Sequence, residues 1–163
     1  MKRLDKDGAS CPLGNEEGTN MSDAQILDQE RAADSLEKVK WVQNHCCEED
    51  QDSYADYVER LPATILMNGL GQALAQLLAA AKKNERDPHY LLYRDVQGWL
   101  CRDDHRAPYR NASDVLEAIT QNGRDKYLQA QAEAMAWLEW HKKLAVAYLK
   151  KAGDKNERPD TAV

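Results

Sequence analysis

Leu61-Pro62-Ala63-Thr64-Ile65-Leu66-Met67-Asn68-Gly69-Leu70-Gly71-Gln72-Ala73-Leu74-Ala75-Gln76-Leu77-Leu78 belongs to the longest uncharged run of the chain, and its reading decides the fold. Ile65, Leu66, Leu70, Ala73, Leu74, Leu77 and Leu78 recur at three- and four-residue steps, the period of a helix that buries one broad face. Asn68-Gly69 interrupts that face. Glycine closes helix C-termini at little steric cost, so the spacing predicts a helix ending near Asn68, a tight turn, and a second helix from about Gly71.

Outward from this stretch the helical period continues in both directions. Ser22 with Gln25 three residues later reads as a capping box, and Ala32, Ala33, Leu36, Val39 and Val42 carry a first helix to about Asn44. The acidic run Glu48-Glu49-Asp50-Gln51-Asp52 follows, and Ser53 is the expected cap of a helix with Tyr54, Tyr57, Val58 and Leu61 inward. Pro62 predicts a kink or a new first turn. After the stretch, Lys82-Lys83 suits a helix C-terminus, and Asp87-Pro88 supplies an N-cap with proline at the first helical position. Tyr90, Leu91, Val96, Trp99 and Leu100 then reach about Arg102. Residues 103–111 read as a loop, and Ser113 as the cap of a short helix through Thr120. Asn122-Gly123 breaks the chain again before a helix of near thirty residues, Arg124 to Ala152. No sustained alternation of apolar and polar residues marks a strand. The expected fold is all-α, a single compact bundle of five or six helices with a long C-terminal helix, spanning residues 22–152. Residues 1–21 read as a disordered extension and 153–163 as a disordered tail.

A chain of 163 residues is one domain by length, with 42% apolar and 31% charged residues. No apolar run has the length of a membrane span, and no secretory leader opens the sequence, so the expected location is cytoplasmic. Cys11, Cys46, Cys47 and Cys101 offer no C-x-x-C pair, and reduced thiols are expected. The run at Glu48–Asp52 invites a divalent-metal reading. Its acids are contiguous with no matching acidic pair elsewhere, so a solvated loop and helix N-terminus is the better account and no metal site is expected. His45, His89, His105 and His141 stand in no catalytic motif, no phosphate-cradling loop is present, and the chain is expected to be no enzyme and to carry no cofactor.

Net charge is −6, which by itself argues against nucleic acid. The charge is unevenly distributed. Residues 22–61 carry four basic and eleven acidic side chains, whereas residues 124–151 carry six basic and three acidic ones. Lys142, Lys143, Lys150 and Lys151 are therefore the candidates for phosphate contacts, with a purely solvated face as the alternative. Trp137, Trp140, His141, Leu144 and Tyr148 lie within helical reach of one another. They read either as a stacking platform for bases or, with Trp137, Leu144 and Tyr148 in the core and Trp140 at its boundary, as ordinary packing.

The pattern Leu-Pro-Ala-x-Ile-x-x-Asn-Gly-Leu-Gly-Gln-Ala-Leu-Ala-x-Leu-Leu closely resembles the signature of the small helical subunit of the type III-B CRISPR-Cas (Cmr) effector complex. Tyr127 and the run Glu133 to Ala145 resemble that family's C-terminal helix, with Trp137 in place of the usual Phe and His141 in place of a Leu. The resemblance covers roughly residues 22–152. It implies a non-catalytic subunit that stacks in copies along a guide–target duplex, contacts backbone and large subunits, and touches guide and target RNA. Arg31 resembles a basic position of the family's first helix. The competing expectation is a generic helical protein-interaction module, a regulator or adaptor without RNA binding.

Overall fold

The computed structural model describes residues 19–151, all of whose regular structure is helical. The expected extension and tail fall, but for residues 19–21, outside the described residues. Helix α1 spans Thr19–His45, α2 Glu48–Asn68, α3 Leu70–Ala81, α4 Pro88–Leu100, α5 Val115–Gln121 and α6 Arg124–Leu149. The expected all-α bundle with a long last helix is what forms.

The organising stretch turns at Gly69, whose φ of 83° and ψ of 160° are open to glycine and strained for other residues. Its N–H closes α2 on the Ile65 carbonyl at 2.8 Å, and its own carbonyl accepts from Ala73 N at 3.1 Å to start α3. A helix that begins without a capping side chain leaves N–H groups unsatisfied. Here α6 supplies the acceptors. Leu70 N donates to Gln131 Oε1 at 3.1 Å and Gly71 N to Tyr127 Oη at 3.3 Å. The same phenol lies 2.6 Å from where a Cβ on Gly69 would stand, so glycine is required for both conformation and space.

Burial follows the predicted period with one exception. Ile65, Leu70, Ala73, Leu74 and Leu77 are buried and Leu78 half-buried, but Leu66 is 71% exposed because the core takes up the face of Leu61 and Ile65. Pro62 sits inside a continuous α2. It removes one backbone donor, yet Val58 and Leu61 before it and Ile65 after it all enter the core, which holds both halves in one helix.

Several boundaries differ from expectation. α1 begins at Thr19, so Ser22 lies within it. α2 begins at Glu48 with Cys47 at the N-cap position, and Ser53 is internal. Cys47 makes no side-chain cap bond, and Glu48, Glu49 and Asp50 occupy the first turn, where carboxylates oppose the positive end of the helix dipole. α3 stops at Ala81, and Lys82 and Lys83 take left-handed φ values of 51° and 65°. Asp114, not Ser113, caps α5 by accepting from Glu117 N at 2.8 Å. Asp87 caps α4 as expected, accepting from His89 N at 2.9 Å.

α6 packs along α1 and α2, and α4 bridges α2 and α3. Tyr54, Leu92, Leu100, Trp137 and Leu138 fill the space between them. Cys46, Cys47 and Cys101 are unpaired thiols. Among the described residues no helix is long and apolar enough to cross a membrane, and no group of three or more His, Cys, Asp or Glu could hold a metal ion.

Candidate nucleic-acid interface

Helix α6 buries Ala130, Ala134, Trp137, Leu138, His141, Ala145 and Leu149, a stripe at three- and four-residue steps. Glu133, Met135 and Leu144 at the margins of the stripe are part-buried, and the residues on the opposite side face outward. Lys142 and Lys143 do so, beside Trp140 at 36% exposure, Val146 at 38% and Tyr148 at 42%. Tyr148, read as a core residue from its spacing, is therefore at the surface, because Ala145 and Leu149 take the inward positions around it. Leu144 is half-buried and Trp137 fully buried, which removes Trp137 from any base-stacking platform. Trp140 donates to Asp28 Oδ1 at 3.0 Å and so lies against α1 with its ring partly open.

The five predicted basic residues separate into two groups. Lys142 has no ion-pair partner among the described residues, and Lys143 has only Glu139, 3.7 Å away in an exposed helical pair. Both are open to a phosphate. Lys150 follows the last residue of α6 and turns to α2, where it meets Asp56 and lies 3.4 Å from Glu59. Those two carboxylates hold its ammonium above its ordinary pKa. Lys151 stands 3.4 Å from Glu48. The acidic face of α2 thus neutralises half of what reads in sequence as one basic patch.

Arg31 is committed more completely. Its guanidinium forks onto Glu133, Nε to Oε1 at 3.0 Å and Nη2 to Oε2 at 2.7 Å, with both side chains mostly buried. Trp99 Nε1 donates to the same Oε1 at 2.9 Å. One carboxylate therefore ties α1, α4 and α6 together, and the hydrogen bond to Glu133 raises the Arg31 pKa further. In this arrangement Arg31 positions helices and presents no fork to a phosphate.

The least expected feature is a buried polar chain behind the lysine face. Tyr54 Oη donates to Asp95 Oδ2 at 2.7 Å and lies 2.7 Å from His141 Nε2, all three side chains being nearly or fully buried. The phenol has a single proton and gives it to the carboxylate, so His141 must donate from Nε2. Its Nδ1 then has no hydrogen-bond partner. Burial, with a smaller push from Lys38, lowers the His141 pKa to about 3, and the ring is neutral. Arg94, reaching Asp95 Oδ1 at 3.2 Å, offsets part of the cost that burial places on that carboxylate. His141 shares the helical register of Ala134, Trp137, Leu138 and Ala145, and that register was the sequence signal for its burial. Its polar partners, on α2 and α4, have no local signal.

A pH dependence follows. A base whose pKa falls from 6.5 unfolded to about 3 folded binds its proton only in the unfolded chain over that interval. His141 therefore costs nothing above pH 6.5 and withdraws about 1.4 kcal/mol of stability per pH unit as pH falls toward 3. His141→Leu is expected to flatten that acid limb while leaving the Tyr54–Asp95 bond in place. Urea denaturation at pH 7, 6, 5 and 4 checks it, and an unchanged slope in the variant would assign the acid sensitivity to the carboxylates.

Sequence reasoning also passed over a cation–aromatic group at Trp41. Trp41, 38% exposed, stacks on His45 at 4.5 Å, and the Arg94 guanidinium lies 4.4 Å over its ring. The i, i+4 spacing of Trp41 and His45 was its only sequence trace.

Residues 27–148 match the model of the family described as CRISPR-associated protein (Cas_Cmr5), which covers most of the chain, and the chain belongs to that family. The resemblance carried by the Leu61–Leu78 pattern and by the last helix is borne out, and the matched residues lie within the bundle. The chain is a type III-B CRISPR-associated small subunit, a component of a Cmr complex.

Proposed function

From that membership we propose that the chain is a non-catalytic structural subunit, stacking in copies along the guide–target duplex of its complex and helping to hold target RNA in antiviral defence in the cytoplasm. Its partners are the backbone and large subunits, neighbouring copies of itself, the guide RNA and the target RNA. The observation that carries the reading is the outward placement of Lys142 and Lys143 beside Trp140 and Tyr148, while Arg31 and Lys150 are held in ion pairs between helices and Lys151 faces Glu48 in an exposed pair. Two open lysines on a chain of net charge −6 release few counterions, so isolated copies bind RNA weakly. Repeated along a stack, the same pair adds up to a polyvalent groove.

Reconstituting the complex with and without this chain tests the proposal. Omission is expected to weaken target capture and its salt dependence, and to leave cleavage under saturating target intact. Equal capture without the chain would overturn the RNA role, and loss of the cutting step at saturation would overturn the non-catalytic one. A second reading, a protein-interaction module without RNA contact, draws on Leu66 and Met67, which stand 71% and 82% exposed at the end of α2. That reading predicts complex assembly through this chain with no effect on RNA affinity.

A further inference from the structure

We propose that a second copy of this chain docks end to end on the first, Leu66 and Met67 of one copy seating in the groove of the next at the junction of α1, α2 and α4. Leu66 and Met67 are the two most exposed large apolar side chains among the described residues, at the last turn of α2. Covering them on association removes apolar surface from water. From Leu61 to Ala81 no residue carries an ionisable side chain, and the other exposed positions of that stretch are alanine, asparagine or glutamine.

The groove lies at the opposite end of α2 and has a volume of about 370 Å³. Trp41, Cys46 and Leu91 give it apolar surface, and its two arginines, Arg86 and Arg94, are matched in number by Asp50 and Glu85. The Trp41 indole is held by stacking on His45 and by the Arg94 guanidinium over its ring, so the wall is set before a partner arrives. Tryptophan and arginine are residue types that carry much of the energy at protein interfaces. A methionine sulfur packs well at the edge of an aromatic ring, and its unbranched chain adapts to an irregular wall.

Charge argues for a copy of the same chain as the occupant. With a net charge of −6, most faces of two copies repel each other. The Leu66–Met67 end brings no charge and the groove brings balanced charge, so these two surfaces meet without net repulsion. A nucleic acid finds no cation at Leu66 and Met67. Asp50 at the groove and Leu66 are roughly 24 Å apart along α2, so one chain cannot satisfy its own groove. Each docking leaves a free groove at one end and a free Leu66–Met67 pair at the other, which makes the contact heterologous and the assembly open-ended. Two side chains in one groove fall well short of the roughly 800 Å² per partner of a stable interface, so free copies associate weakly and a scaffold strengthens the stack. The role of the contact in the complex, though not the contact itself, rests on the stacking reading above.

Sedimentation velocity of the full chain up to millimolar concentration tests it. The average mass is expected to climb with concentration past that of a dimer. Leu66→Gln combined with Met67→Gln keeps the net charge and the helix, and should weaken association roughly tenfold or more. Cys47→Trp, at an exposed position of the groove wall whose side chain makes no cap bond, should block the groove to a similar extent. Mixed, the two variants are expected to form a one-to-one pair and stop, since one keeps only its groove and the other only its Leu66–Met67 pair. A parent chain that stays monomeric, an association that ends at a two-fold dimer, or variants that associate like the parent would each overturn the proposal. None of these outcomes involves RNA, so failure here is distinct from failure of the target-capture experiment.

Discussion

Trp137→Ala is expected to cost roughly 3 to 5 kcal/mol of folding stability, the range for deleting a large buried aromatic. Trp137 is fully buried, stacks on His141 with ring centroids 4.1 Å apart, and donates from Nε1 to Asp34 Oδ2 at 2.8 Å. Alanine removes the dispersion contacts of the indole and opens a cavity against a histidine that already lacks one partner. Trp137→Phe keeps a smaller aromatic ring and loses the donor. Asp34 keeps Lys38 at 2.6 Å, so the Phe variant is expected to lose about 1 kcal/mol for the hydrogen bond and a further packing term smaller than that of alanine. Urea denaturation of the two variants against the parent decides the matter. Equal losses in both would place the stabilisation in the hydrogen bond to Asp34 and not in ring packing.

Reversal of Lys142 and Lys143 to glutamate is expected to weaken target-RNA capture by the assembled complex roughly ten- to a hundredfold, without regard to target sequence. Both side chains are exposed, and Lys143 has only a surface pair with Glu139, so folding and assembly should survive. Each lost phosphate contact should also lower the salt slope by about 0.7 per contact, the single-strand value. Lys150→Glu is the informative contrast. It sets a third acid against Asp56 and Glu59, so it should lower the melting temperature while changing capture less. Capture and salt slope that ignore the double reversal would leave α6 a solvated face and return the RNA contacts to other surfaces.

The division between these lysines marks the limit of what spacing conveys. Lys142, Lys143, Lys150 and Lys151 are alike in sequence, and the end of α6 at Leu149 separates them. Arg31 finds Glu133 across 102 residues and Lys150 finds Asp56 across 94, partners that no local pattern encodes. The Tyr54–Asp95–His141 chain is of the same kind, since its members come from three helices. Exposure of Leu66 and Tyr148 likewise depends on which of several apolar residues the neighbouring helices cover.

What the sequence determined by itself was whatever acts over a few residues. The turn at Asn68-Gly69, the Asp87-Pro88 helix start, the break at Asn122-Gly123 and the absence of strand periodicity follow from φ preference, capping and the 3.6-residue repeat. They suffice for an all-α bundle and, with the Leu61–Leu78 pattern, for its family. Tertiary structure decided the rest. Burial on both sides of Pro62 outweighed one lost backbone bond, first-turn acids served α2 where Ser53 was expected to cap it, and Tyr127 with Gln131 took up the free amides of α3. Each outcome balances a local preference against contacts made by residues distant in the chain, and only the packed bundle brings those contacts together.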